Sequence, residues 1–171
     1  AKKALLKLKK LGIKKLVMLS GDKQQTAEKI ATELPLDEVH GEQLPSDKAT
    51  FIKAEQQKGN KVAFIGDGIN DGPALASANV AIAVGNGTDV AVDVSDIVLV
   101  KNDLKQVAYA FSLSKRTILN MNENIALALL TVLILFIGLF VGYIEMASGM
   151  LVHELSILVV ILNGMRLLKN R

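Results

Sequence analysis

Short apolar runs alternate with amphipathic stretches along the first hundred residues of the chain. Each apolar run is followed or preceded by turn residues such as Gly, Asn, Asp or Ser, a pattern typical of buried strands. Such strands are predicted at 16–19, 39–40, 62–65, 80–84 and 97–100. Helices are predicted between them at 1–11, 24–33, 46–58, 73–78 and 90–94, with Ser46 as the N-cap of the third. Strands that alternate with helices predict an α/β fold with a parallel sheet covered on both faces.

The last third of the chain has a different pattern. Residues 103–124 are helical and polar, and the uncharged apolar run at 125–144 has about the length that spans a bilayer. After a short turn at Glu145, a second apolar stretch covers 146–168. The sequence therefore predicts three parts: an α/β part at 1–102, a connecting helix at 103–124 and a transmembrane hairpin at 125–171.

Basic residues flank only the outer ends of this hairpin. No Lys or Arg lies between Thr117 and Met165, so the positive-inside rule predicts that both ends are cytoplasmic. The flanking cations are Lys115, Arg116, Arg166, Lys169 and Arg171. Two buried core helices are the alternative, but a run this long and free of charge disfavours it. We therefore expect a multi-pass membrane protein whose partner is the lipid bilayer.

Composition excludes several classes of protein. The net charge of +3 is too weak to indicate a nucleic-acid partner, and the lysines near the start fit the solvated face of an amphipathic helix. The absence of Cys excludes a disulfide framework and a thiolate metal site within these residues. The chain begins inside a helical pattern without an initiator Met, so we expect it to be part of a longer protein.

Candidate chemistry follows the predicted strand 62–65. The stretch 66–73 reads GDGINDGP and carries two carboxylates, Asp67 and Asp71, just past the strand end. Ligands bind at the carboxyl ends of strands in open α/β sheets, and Mg²⁺ takes oxygen ligands that include one or two carboxylates. A plain Asp/Asn/Gly turn is the alternative.

This stretch, continued by Ala74 and Leu75, resembles the GDGxNDxPAL signature of P-type cation-transporting ATPases. Two further segments support the resemblance: Ser20, Gly21 and Asp22 stand where that family has TGD, and Lys48 in LPSDK matches its phosphate-neutralising lysine. The resemblance implies a haloacid-dehalogenase-like phosphorylation domain with ATP as substrate and Mg²⁺ as cofactor. It assigns Mg²⁺ binding to Asp67 and Asp71, and catalytic roles to Ser20, Gly21, Asp22, Lys48, Asn70 and Asp71.

The second apolar stretch contains ionisable and polar residues, which are costly inside a membrane and indicate function. His153 and Ser156 share a helix face with Asn163, and Glu154 lies about 100° away. A polar stripe that only joins helices is the alternative. The residues HELSI at 153–157 and LNGMRL at 162–167 resemble the last helix of heavy-metal P-type ATPases, although Leu155 departs from the small residue there. Imidazole plus carboxylate favours Zn²⁺, Co²⁺ or Fe²⁺ over Cu⁺. Residues His153, Glu154 and Ser156 are thus predicted to bind the transported metal.

The family's nucleophile, the Asp of a DKTGT motif, does not occur in this sequence. The chain therefore resembles the second half of the phosphorylation domain plus the last two membrane helices. Its expected partners are the other membrane helices and the actuator and nucleotide-binding domains of the same pump.

The expected function is ATP-driven export of a divalent heavy-metal ion across the plasma membrane through an aspartyl phosphate, with the α/β part in the cytoplasm. The alternatives are a pump for Cu⁺ or another cation, a membrane-tethered haloacid-dehalogenase-like phosphatase, and a non-catalytic membrane protein.

Overall fold

The computed structural model describes residues 1–67, 70–85, 89–101 and 103–168 of the protein. The chain divides into two compact units, Ala1–Phe111 and Ser112–Arg171. The first contains every described strand, and the second is helical.

The first unit contains two parallel sheets. Their strands are β1 (Val17–Leu19), β2 (Glu38–His40), β3 (Ala63–Gly66), β4 (Val80–Val84) and β5 (Ile97–Leu99). One sheet pairs β1 with β2, and the other has the order β3-β4-β5. The helices between and around them are α1 (Lys2–Lys10), α2 (Gln24–Ala31), α3 (Pro45–Gln57), α4 (Gly72–Ser77) and α5 (Asp89–Val94).

Strand β4 explains why the three-stranded sheet needs helices on both faces. Successive side chains of a strand point to opposite sides, and here both sides are apolar. Ala81 and Ala83 pack with Leu75 of α4, whereas Ile82 packs with Leu5 and other buried residues on the opposite side. The predicted parallel sheet with flanking helices is therefore confirmed.

The start of α3 differs from the prediction. Ser46 is not the N-cap; Leu44 is, and Pro45 occupies the first helical position. Proline fits there because that position needs no N–H donor inside the helix. The Asp47 carboxylate accepts the Leu44 backbone N–H at 3.0 Å, which satisfies an orphan donor at this helix end.

Two long helices complete the chain, α6 (Leu104–Val141) and α7 (Met146–Met165). The predicted connecting helix and first span are one continuous helix, whose first turns supply Val107 and Ala108 to the core of the first unit. Both helices are long and apolar enough to cross a membrane. The basic residues Lys169 and Arg171 lie outside the described residues, so their predicted flanking position stays a prediction.

Candidate functional site

The predicted phosphoryl-binding residues follow the carboxyl ends of two strands. Ser20, Gly21 and Asp22 come directly after β1, and Asp67 comes directly after β3. Lys48 lies in the first turn of α3. The Ser20–Asp22 turn and Asp67 thus lie at strand ends of the kind where open α/β sheets bind ligands, whereas Lys48 comes from a helix.

The turn after β1 is held by its own side chains. Ser20 Oγ donates a hydrogen bond to Asp22 Oδ2 at 3.0 Å, and the Asp22 backbone N–H donates to Ser20 Oγ at 3.2 Å. Gly21 and Asp22 remain exposed. The turn therefore offers a hydroxyl and a carboxylate in a fixed mutual geometry.

Lys48 and Asp71, 23 positions apart, form an ion pair at the start of α4. The distance between Lys48 Nζ and Asp71 Oδ1 is 2.7 Å, and the two side chains are only 11% and 12% exposed. A charge-assisted hydrogen bond of this length is stronger than a neutral one. The structure thus brings together a cation and a carboxylate that the sequence connected only through a family resemblance.

Gly66, the last residue of β3, makes room for this carboxylate. A Cβ at this position would lie 2.5 Å from Asp71 Oδ2 and 2.8 Å from Asp71 Cβ. Both contacts are shorter than real Cβ atoms show. The first glycine of the GDG stretch therefore lets Asp71 fold back against the strand end.

Asp67 and Asn70 are exposed, and no described residue donates a hydrogen bond to the Asp67 carboxylate. Gly68 and Ile69, which separate them in the motif, lie outside the described residues. One oxygen of Asp71 is bonded to Lys48, while Asp67, four positions earlier in the chain, is open. The metal ligands that Asp67 and Asp71 offer are carboxylate oxygens, which Mg²⁺ prefers, so these residues fit the predicted ion.

The predicted transport residues lie on α7. His153 and Glu154 are exposed, and Ser156 Oγ donates to the His153 carbonyl at 2.6 Å. Among the described residues, no three acidic or histidine side chains gather closely enough to hold a metal ion. Within the described ranges, the structure therefore brings no third acidic or histidine side chain to His153 and Glu154.

Asn163, on the same helix, bonds to α6 instead. Its Nδ2 donates to Asn124 Oδ1 at 2.9 Å and to Glu123 Oε2 at 3.3 Å, and its carbonyl accepts from Asn120 Nδ2 at 2.9 Å. The sequence analysis did not single out Asn120 and Asn124, although their spacing of four residues puts them on one helix face. Asn163 thus joins the two long helices.

Gln24 and Gly41 were also missed. The Gln24 side chain bonds to backbone groups on both sides of His40, and Gly41 packs directly against Gln24. No local signal marks these residues, because their contact depends on how two separate segments meet.

Comparison with known proteins agrees with this geometry. Residues 1–79 match the family model described as haloacid dehalogenase-like hydrolase. The zinc-transporting ATPase of Bacillus subtilis is 43% identical over 99% of this chain and 26% of its own length. The probable cadmium-transporting ATPase of Listeria monocytogenes is 39% identical over 95% of this chain and 23% of its own length. Copper-transporting ATPase 2 of Rhizobium meliloti is 52% identical over 71% of this chain and 15% of its own length.

Solved structures support the same relationship. A zinc-transporting PIB-type ATPase in the E2·Pi state superposes with a TM-score of 0.86 at 34% identity, over 97% of this chain and 27% of that one. The catalytic domain of the CPx-ATPase CopB-B gives a TM-score of 0.60 at 40% identity, over 64% of this chain and 43% of that one. The chain spans about a quarter or less of the length of the curated relatives it matches. By sequence and by fold, the chain is similar to heavy-metal P-type ATPases, in a haloacid-dehalogenase-like part followed by two long apolar helices.

Proposed function

We propose that this chain is the C-terminal part of a pump that uses ATP, through an aspartyl phosphate, to export a divalent heavy-metal ion from the cytoplasm. The observation that carries the proposal is the Lys48–Asp71 pair of 2.7 Å, formed four residues after the open carboxylate of Asp67. A fixed cation bonded to one carboxylate, with a second carboxylate open at the end of β3, suits a site that holds a phosphoryl group and its counter-ion.

Each residue of the phosphoryl site has a proposed role. Lys48 neutralises charge on the phosphoryl group, and Asp71 holds the ammonium of Lys48 in place. Ser20 contacts the phosphoryl oxygens through its hydroxyl, which Asp22 orients. Asp67 and Asp71 would hold Mg²⁺, and Asn70 would complete the site. When bound, Mg²⁺ neutralises charge that develops on the transferred group.

A divalent cargo is proposed from the chemistry of α7. His153 and Glu154 supply an imidazole and a carboxylate, ligands that suit Zn²⁺, Co²⁺ or Fe²⁺ better than Cu⁺. The match to the zinc-transporting relative covers 99% of the chain and so includes α7. The match to the copper-transporting relative leaves out more than a quarter of the chain. Both observations favour a divalent ion, which the pump carries as its substrate.

The proposed location is the plasma membrane, with the α/β unit in the cytoplasm. Lys115 and Arg116 precede the apolar part of α6, and Arg166 follows α7. Cytoplasmic loops carry an excess of Lys and Arg, so this distribution supports a hairpin whose two ends are cytoplasmic. The other membrane helices and the actuator and nucleotide-binding domains of the pump are the proposed partners.

Metal-stimulated ATP hydrolysis by the full-length ATPase tests this function. Purified protein in lipid is assayed with Zn²⁺, Co²⁺, Fe²⁺ and Cu⁺, and we expect stimulation by at least one divalent ion. His153→Ala and Glu154→Gln should abolish that stimulation because each removes a ligand, while ATP still binds. Glu145→Gln is the matched control, since this carboxylate lies in the turn before α7.

Two results would contradict the proposal. If both His153→Ala and Glu154→Gln kept the wild-type metal stimulation of ATP hydrolysis and the wild-type metal profile, the transport site would lie elsewhere. Hydrolysis of small phosphate esters without any response to metal would instead favour a membrane-tethered phosphatase.

A further inference from the structure

The side-chain amide of Gln24 pairs with backbone on both sides of His40. Gln24 Nε2 donates to the Val39 carbonyl at 3.2 Å, and Gln24 Oε1 accepts the Gly41 backbone N–H. In a parallel ladder, one residue bonds in this way to the residues before and after its partner. The Gln24 amide thus acts like a peptide group of an added strand, at the carboxyl end of β2.

Gly41 allows this pairing because it has no side chain. A Cβ at position 41 would lie 2.5 Å from Gln24 Cα, 2.7 Å from Gln24 N and 2.9 Å from the Asp22 carbonyl oxygen. These atoms are backbone atoms, which cannot move aside as the end of a flexible side chain can. The loop after β2 is therefore in direct contact with the segment after β1.

Backbone hydrogen bonds extend the contact beyond Gln24. The Glu42 N–H donates to the Asp22 carbonyl at 2.7 Å, and the Gln43 N–H donates to the Ser20 carbonyl at 2.9 Å. Two residues of the proposed phosphoryl-binding turn are thus bonded to the loop 41–43. Gln24, which is half-buried, is the side chain that ties this loop down.

The same loop leads into the helix that carries Lys48. Residue 44 caps α3, and the Asp47 carboxylate fixes that cap. Lys48 follows in the first turn and bonds to Asp71. Loop 41–43 therefore connects the Ser20–Asp22 turn, through hydrogen bonds, with the start of the helix that holds the Lys48–Asp71 pair.

We propose that Gln24 is a positioning residue for phosphoryl transfer, which sets the Lys48–Asp71 pair relative to the Ser20–Asp22 turn by holding loop 41–43. The inference rests on the proposed function of that site. Gln24 touches no reacting atom in this role; it acts through the loop. A small misplacement of catalytic groups slows a reaction by up to roughly 100-fold, so loss of the Gln24 amide should slow phosphorylation without weakening ATP binding.

The test compares matched variants of the full-length ATPase. Gln24→Met keeps the length of the side chain but removes its hydrogen bonds to Val39 and Gly41, and with them the bond to Glu28. Gln25→Met is the control, because Gln25 is exposed and its side chain makes no hydrogen bond in the described part of the chain. The rate of phosphoenzyme formation from labelled ATP, the ATP concentration for half-saturation and the thermal midpoint are measured for each protein.

We expect Gln24→Met to phosphorylate roughly 10- to 100-fold more slowly than wild type. Half-saturation by ATP and the thermal midpoint should stay at the wild-type values, and Gln25→Met should match wild type throughout.

A second control separates the loop bonds from a bond within α2. Gln24 Nε2 also donates to Glu28 Oε1 at 2.8 Å. Glu28→Gln changes this partner and leaves the bonds of Gln24 to Val39 and Gly41 in place, so it should phosphorylate at the wild-type rate.

Three outcomes would overturn the inference. A wild-type rate in Gln24→Met would show that the loop does not need the amide. A rate that falls only in proportion to the folded fraction would make Gln24 a structural residue. Wild-type protein that takes no label from ATP would instead reject the proposed function of the site, and this inference with it.

Discussion

At the scale of single residues, the site depends on how a few charges are paired. Lys48 and Asp71 neutralise each other in a setting where both are almost covered, and Gly66 gives the carboxylate the space it needs. Asp67, the first residue beyond the strand, stays open to solvent. Asp71 thus has one oxygen bonded to a lysine, whereas the carboxylate of Asp67 is open to a cation.

Asp67→Asn in the full-length ATPase keeps the shape of the side chain and removes its charge. We expect phosphorylation from ATP to fall by roughly 100-fold or more, because charge neutralisation at the phosphoryl group supplies much of the catalysis. Labelled ATP at saturating Mg²⁺ measures the rate. Asp93→Asn, an exposed carboxylate on α5, is the control and should behave as wild type. Equal rates of phosphorylation in Asp67→Asn and wild type would show that the GDG stretch is an ordinary turn.

At the scale of secondary-structure elements, buried polar groups hold helices and loops together. Glu55, near the end of α3, has a side chain that is 8% exposed. Its carboxylate accepts from Lys58 Nζ at 2.7 Å, from Asn60 Nδ2 at 2.8 Å and from Lys15 Nζ at 3.4 Å. These bonds, that from Lys58 first, lower the pKa of Glu55 from 4.5 to about 2. The carboxylate thereby connects the end of α3 with the segment before β1.

The acid stability of the α/β unit should depend on Glu55. Its pKa is lower in the folded state than in the unfolded state, so its contribution is complete above pH 4.5 and is lost as the pH falls toward 2. The pKa of Asp37 is also lowered, by a hydrogen bond from Lys9, and that of Glu38 by one from Lys15. Glu55→Gln should lower the thermal midpoint at pH 7. Below pH 4.5, the thermal midpoint of this variant should decrease less with falling pH than that of the wild type.

Thermal unfolding of the full chain from about pH 7 to about pH 2 measures this effect down to the pKa of folded Glu55. Glu33→Gln is the control, because Glu33 is exposed and its carboxylate accepts no hydrogen bond from a described residue. If the thermal midpoint of Glu55→Gln had the same pH dependence as that of the wild type, the three hydrogen bonds to Glu55 would not lower its pKa in the folded protein.

The asparagines between α6 and α7 lead to a second prediction at this scale. Asn163→Leu removes the bonds to Asn124 and Glu123 but leaves a side chain of similar size. Interhelical hydrogen bonds in membranes contribute on average about 0.6 kcal/mol, and at most about 1.7 kcal/mol. We expect a modest fall in the thermal midpoint of the full chain in detergent or lipid.

Asn122→Leu is the matched control for this variant, since Asn122 is exposed on α6 and bonds to no described side chain. Stability should change more in Asn163→Leu than in Asn122→Leu. The opposite order would argue that the Asn163 network does not hold the hairpin together.

At the scale of the whole molecule, the chain combines an α/β unit with two helices long enough to span a bilayer. Its relatives are several times longer, and it aligns with about a quarter or less of them. Phosphoryl transfer by this family's chemistry needs a nucleophilic Asp, and no DKTGT stretch occurs in these 171 residues.

The 171-residue chain by itself should therefore form no phosphoenzyme. Incubation with labelled ATP and Mg²⁺, followed by acid quenching, is expected to leave no stable label. The positive control is the full-length ATPase treated in the same way. Stoichiometric labelling of the isolated chain would mean that one of its own carboxylates is the nucleophile.

The sequence by itself determined what depends on neighbours along the chain. Apolar periodicity predicted the strands, the alternation with helices and the two long apolar segments, because burial imposes a local period on each element. The GDGINDGP stretch and the turn at Ser20 could be located for a related reason, since the residues of each are contiguous. The roles of His153 and Glu154 stay predictions, because no third acidic or histidine side chain is brought to them among the described residues.

Only the tertiary structure decided which distant residues meet. Lys48 and Asp71 are separated by 23 positions, Gln24 and Gly41 by 17, and Asn120 and Asn163 by 43. The capping of α3 by Leu44 rather than Ser46 is instead a local effect, because Pro45 fits the first helical position and Asp47 bonds to the Leu44 N–H. Contacts between distant residues depend on how the packed helices and strands bring their ends together. The local periodicity of apolar residues does not predict that arrangement.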